Sequence, residues 1–162
     1  MNASDLPANR FCSVARALEV LGQKWNLLIL REAFLGRTRF GEFERIGIPV
    51  ATLGQRLTDL VEAGLLERRP YREGTGRARD EYVLTASARD VILVLASLSA
   101  WSDEHLPLPA GAAMVYVERS TGRPVELRFI DDEGSEVRPE DVTVARGPVF
   151  AAAVASSQAF DG

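Results

Sequence analysis

Thr52, Gln55 and Arg56 are spaced three and four apart, which places their side chains on one side of a helix. Their chemistry suits nucleic acid. A glutamine amide can pair bidentately with adenine, and a guanidinium with guanine or phosphate. Ala51 beside them is short and repels no phosphate. A second group follows at Arg68, Arg69, Arg72, Arg77 and Arg79, a stretch whose only acid is Glu73. Arg39 adds a further cation upstream. Arg39, Arg77 and Arg79 fit phosphate or minor-groove contact better than base reading. Plainer roles fit the same residues. Gln55 could simply face solvent, Arg56 could pair with Asp59 or Glu62 along the helix, and the arginines could guard an edge strand.

Other chemistries find little support. The single histidine, His105, follows Asp103 and Glu104 at a helix end, where a histidine usually serves the dipole. There is no Gly-x-Ser-x-Gly and no phosphate loop, and Gly74-x-Gly76 is neither preceded by a strand nor followed by a helix as a dinucleotide site requires. The expectation is a protein that is not an enzyme and holds no cofactor and no metal.

The elements that must position these residues can be read in order. Periodicity predicts helices over 11–21, 24–35 and 39–46, the last with Thr38 as N-cap and Glu42 closing a capping turn. A helix over 49–63 follows, with Leu53, Leu57, Leu60 and Val61 on its apolar face and Gly64 as its left-handed stop. Residues 65–72 and 79–84 read as a hairpin with its tip at 73–77. A groove-shaped helix followed by a basic hairpin is the layout of a winged helix-turn-helix. The helix over 85–105 has a wide apolar face that includes Val91, Leu95, Leu98 and Trp101. It could lie along its own core, but a small domain seldom exposes so much apolar surface, so it is read as a dimer interface.

Leu106-Pro107-Leu108-Pro109 marks a break. Beyond it, strands are expected at 114–119, 125–130 and 135–138, and another at 142–145. The fold class is thus α+β. It comprises a winged helix-turn-helix domain for DNA binding and dimerisation over 10–106, a small metal-free β-hairpin subdomain over 110–148, and a flexible tail over 149–162. Residues 1–9 are expected to fray.

The whole chain carries a net charge of −4, which disfavours nucleic acid, but the distribution matters more. Residues 1–109 hold 14 Lys and Arg against 14 Asp and Glu, so residues 110–162, with 5 against 9, supply the excess. No apolar run is long enough to span a membrane, and the first residues show no secretion pattern. Cys12 is the one cysteine, which fits a reducing cytoplasm.

Several stretches together resemble the HxlR-type family of bacterial winged-helix transcription regulators, relatives of the MarR-like regulators. They are the run from Cys12 through Lys24-Trp25 to Glu32, then Gly36 to Phe43, Leu53 to Leu66, Glu81 to Thr85, and Leu98 to Ser102. The resemblance implies a cytoplasmic homodimer that binds a pseudo-palindromic operator in double-stranded DNA, here expected as a repressor, with a small-molecule effector as a further partner. In several members the cysteine matching Cys12 senses oxidants or electrophiles. The opposing reading of Cys12 is an inert core thiol. Some members carry a cysteine-bearing ribbon near the C-terminus. Here the matching turns are Thr121-Gly122 and Glu133-Gly134, with Ile130 where a cysteine would stand, so no zinc ligand set remains. The rival class is a ligand-binding or protein-interaction module that kept the fold and lost DNA.

Overall fold

The computed structural model describes Asn9 and residues 11–74, 76–145, 147 and 148; the expected tail over 149–162 lies outside them. Four helices lead: α1 (Ser13–Leu21), α2 (Lys24–Phe34), α3 (Phe40–Phe43, continued by a 3-10 turn over Glu44–Ile46) and α4 (Val50–Glu62). The antiparallel hairpin of β1 (Leu66–Tyr71) and β2 (Arg79–Leu84) follows, then α5 (Ala86–Arg89) and α6 (Val91–His105). This is the α+β winged helix-turn-helix architecture: α3 and α4 form the turn motif and the hairpin is the wing.

One core holds the elements together. Ile29 and Leu30 of α2, Phe43 of α3, and Leu53, Leu57 and Leu60 of α4 are fully buried. Ala33, Ile48, Leu66, Tyr82, Val91 and Leu95 complete the cluster, and Trp25 and Phe34 pack at its margin. Each large side chain contributes about 1.5–3 kcal/mol by leaving water. The turn after α4 is built by Gly64, whose φ of 71° is open to glycine at no steric cost. It lets the Leu65 N–H donate to the Leu60 carbonyl at 2.9 Å and the Gly64 N–H to that of Val61 at 3.0 Å, so the helix stops and the wing starts. Thr85 then ties the far end of the wing back, its hydroxyl donating to the Gly64 carbonyl at 2.7 Å and accepting the Ala88 N–H at 3.2 Å as the cap of α5.

Three expectations need correction. Arg39, not Thr38, is the N-cap of α3, because the Tyr82 N–H donates to the Thr38 carbonyl at 2.7 Å and Arg39 bridges Glu81, which keeps both residues extended along β2. Glu42 still closes the turn, accepting the Thr38 and Arg39 N–H groups at 2.9 Å each.

The strands expected at 114–119 and 125–130 shrink to a single bridge between Val117 and Pro124, and β3 (Phe129–Ile130) with β4 (Glu136–Val137) is a two-residue ladder. Residues 142–145 form no strand. The segment has too few buried side chains to hold longer strands.

Finally, the apolar face of α6 divides. Val91 and Leu95 lie in the protomer's own core, whereas Leu98 is 50% and Trp101 57% exposed.

Candidate nucleic-acid interface

α4 turns Leu53, Leu57 and Leu60 inward, and the helical period then fixes what faces out. Ala51 and Gln55 are exposed, and Thr52 and Arg56 are half-buried. Gln55 and Arg56 converge on Asp59. The Gln55 Nε2 donates to its Oδ1 at 2.8 Å, and an Arg56 guanidinium nitrogen lies 3.0 Å from its Oδ2. The intrahelical pairing considered for Arg56 is therefore present, and Gln55 shares it.

The wing sorts its arginines by strand register. Arg68 stands across from Tyr82 and Arg69 across from Glu81, while Tyr71 stands across from Arg79. Alternation puts Arg68 on the inward side, over the Tyr82 ring at 5.7 Å and 3.7 Å from the Asp80 carboxylate. Arg69 pairs with Glu67 at 3.0 Å, and that guanidinium holds the Glu67 carboxyl below its usual range.

Arg39 comes to the wing from the start of α3. It stacks over the Tyr71 ring at 4.7 Å and pairs with Glu73 at the wing tip. Arg72, Arg77 and Arg79 are exposed, with no ion pair among the described residues. They are the cations most readily given to phosphate. Sequence reasoning missed the Tyr71 platform under Arg39 and the Arg39–Glu73 pair, whose two residues lie 34 positions apart. It also missed the buried Glu32, whose carboxylate is held by Arg31 at 2.8 Å and Arg37 at 2.9 Å. That pairing commits two further cations to structure.

Cys12 is half-buried at the N-cap of α1, its Sγ accepting the Ala15 N–H at 3.5 Å. Among the described residues no group of His, Cys, Asp or Glu could hold a metal ion, and no helix is long and apolar enough to cross a membrane.

The arrangement can do one kind of chemistry well: hydrogen bonding and charge neutralisation along a duplex. Comparison with known proteins agrees. An HTH-type transcriptional regulator of Mycobacterium tuberculosis (strain ATCC 25618 / H37Rv) is 44% identical over 161 residues, 97% of this chain and 100% of the relative. The crystal structure of PA1607, described as a candidate transcription factor, superimposes with a TM-score of 0.72 at 37% identity, over 85% of this chain and 96% of that one. The HTH-type regulator YtcD superimposes with a TM-score of 0.54 at 30% identity, over 60% of this chain and 100% of that one. The first two alignments reach into the segment beyond α6, whereas all of YtcD is matched within 60% of this chain. The sequence model of the HxlR-like helix-turn-helix family matches residues 20–109. A helix-turn-helix with a basic wing, matched by the family model over that span and aligned with the whole length of an HTH-type regulator, places this chain in the HxlR-like helix-turn-helix family of DNA-binding transcriptional regulators.

Proposed function

We propose that the chain works as a homodimeric, cytoplasmic repressor, not an enzyme, with α4 of each protomer in a major groove and each wing along the flanking backbone. The observation that carries the DNA geometry is the division of labour just described. Thr52, Gln55 and Arg56 share the outward side of α4, and Arg77 and Arg79, without an ion pair among the described residues, sit at and beside the wing tip. Two-fold symmetry then sets pseudo-palindromic half-sites one or two helical turns apart. The dimer reading is supported by apolar surface that one protomer leaves open: Val14 and Leu18 on α1, and Val94, Leu98 and Trp101 on α6.

Residues 10–106 serve as the DNA-binding and dimerising body and 110–148 as an accessory docked on α6, where the Ser99 and Tyr116 hydroxyls lie 3.1 Å apart. A cavity of about 540 Å³ between α6 and residues 112–128 is the place for a small-molecule effector. Cys12 is the candidate for a thiol response, since it heads the helix that carries Val14 and Leu18. Operator affinity unchanged by diamide would remove it from that role.

Binding to duplex DNA across a salt series tests the function itself. Several arginine–phosphate contacts should give a steep negative slope of log K against log salt. A flat slope, or no binding at low salt, would favour the rival module without DNA.

A further inference from the structure

We propose that Tyr71 is a positioning residue for Arg39, presenting its guanidinium to the DNA backbone near the wing tip. The inference rests on the wing lying along that backbone. Strand register brings the two residues together. Arg39 is extended and bridges Glu81 on the free edge of β2. Glu81 stands across from Arg69, and Tyr71, two positions beyond Arg69, stands across from Arg79. Cross-strand partners share a face, and so do residues two apart along a strand. Arg39, Tyr71 and Arg79 therefore lie on one face of the wing, opposite the buried Leu66 and Tyr82. Along this face the Arg39 guanidinium reaches the Tyr71 ring, 4.7 Å from its centroid.

The contact holds the cation without consuming its donors. It joins the positive charge to the ring face and uses no N–H group. Glu73 accepts from Nη1, while Nε and Nη2 have no partner among the described residues. The Arg39 side chain stays 45% exposed, open to a phosphate. The Glu73 side chain is 62% exposed, so solvent screens its repulsion of that phosphate. A free arginine gives up rotamers when it grips a ligand, whereas Arg39 has given them up in the fold. On the same face Arg69 pairs with Glu67 and stands across from Glu81, which leaves Arg39 and Arg79 as the cations at its tip end. A phosphate is the same at every base pair, so the contribution of Tyr71 is to affinity on any duplex.

The test compares wild type with Tyr71→Val, Tyr71→Phe, Arg39→Ala and the Tyr71→Val/Arg39→Ala double variant. Tyr71 is half-buried and outside the core cluster, and valine suits a strand, so Tyr71→Val removes the ring and keeps the fold. Tyr71→Phe keeps the ring face and removes the hydroxyl. Fluorescence anisotropy across a salt series uses a duplex from upstream of the protein's own gene and a scramble of it. Arg39→Ala should weaken binding to both and reduce the salt slope by about one unit. Tyr71→Val should weaken binding to both by about 2–5-fold, and Tyr71→Phe should match wild type. In the Arg39→Ala background Tyr71→Val should have no further effect. A loss that persists without Arg39 would make Tyr71 a support of the wing as a whole. A loss in Tyr71→Phe equal to that in Tyr71→Val would assign the effect to the hydroxyl. Either result overturns the proposal, as does wild-type binding by Tyr71→Val or by Arg39→Ala. In each of these cases DNA binding by the wing stands. If wild type and every variant bind neither duplex, the reading of the wing falls as well.

Discussion

The body of the chain and the segment beyond α6 are built from similar side chains but bury them differently. Among the described residues, every buried hydrophobic side chain lies between Ala15 and Ala96. Val115, Val117, Val125, Phe129, Ile130 and Val144 of the second region are all exposed. The body closes a core because its helices cross and the wing covers one end. The second region has tight turns, such as the one in which Asp131 Oδ1 accepts the Glu133 and Ser135 N–H groups at 3.0 and 2.8 Å, the two-residue β3–β4 ladder, and a docking bond to α6. Apolar residues alone do not make a domain; they need elements long enough to enclose them.

The largest expected effect tests that contrast directly. Leu57→Ala should cost about 3–5 kcal/mol in chemical denaturation, because the residue is fully enclosed by rigid helices. Ile130→Ala should cost under about 0.5 kcal/mol. Comparable losses would mean that the second region has a core of its own.

α6 lies between the two regions, so a change on its open side should separate folding from assembly. Leu98→Asp places a charge on a half-exposed position and should leave a folded protomer. Its dimer dissociation constant should rise by at least about 100-fold, on the order of 3 kcal/mol, in sedimentation equilibrium. A dimer of wild-type strength would remove α6 from the interface.

The charges of the two regions should also behave differently. Arg77→Ala with Arg79→Ala should weaken operator and random duplexes by similar factors and reduce the salt slope by up to about two units. Arg123→Ala with Arg128→Ala, in the second region, should leave the slope as it is. A slope that responds to both pairs would bring the second region onto the DNA.

The smallest effect concerns two carboxylates. The Arg39 and Thr38 backbone N–H groups hold the Glu42 carboxyl below its usual range, and the Ser120 and Thr121 hydroxyls do the same for Glu118. A lowered folded pKa means stability that is complete above the ordinary carboxylate range and lost as pH falls through the lowered value. Glu42→Gln should therefore destabilise by roughly 0.5–1 kcal/mol near neutral pH and flatten the loss in acid, because α3 belongs to the core. Glu118→Gln should not move the unfolding transition. A response to Glu118 would couple the second region to global folding.

Much of the body was legible in the chain. The 3.6-residue period of Leu53, Leu57 and Leu60, the stop at Gly64 and the hairpin boundaries are local features, and local sterics and burial fix them. The outward set on α4 follows from the same period. Less of the second region was legible, because alternating apolar residues also occur in extended chain that never pairs.

The sequence by itself determined the order of the helices and hairpin of the body, the basic wing, the outward set of α4 and the family. It did so because each is set by spacing within a few turns of helix or one hairpin. Only the tertiary structure decided which charges are already taken. Glu73 reaches Arg39 across 34 positions, Thr38 is drawn onto β2, and Val91 and Leu95 turn into the protomer while Leu98 and Trp101 stay open. Those outcomes depend on which elements cross and at what distance, and a pattern along one chain does not carry that information.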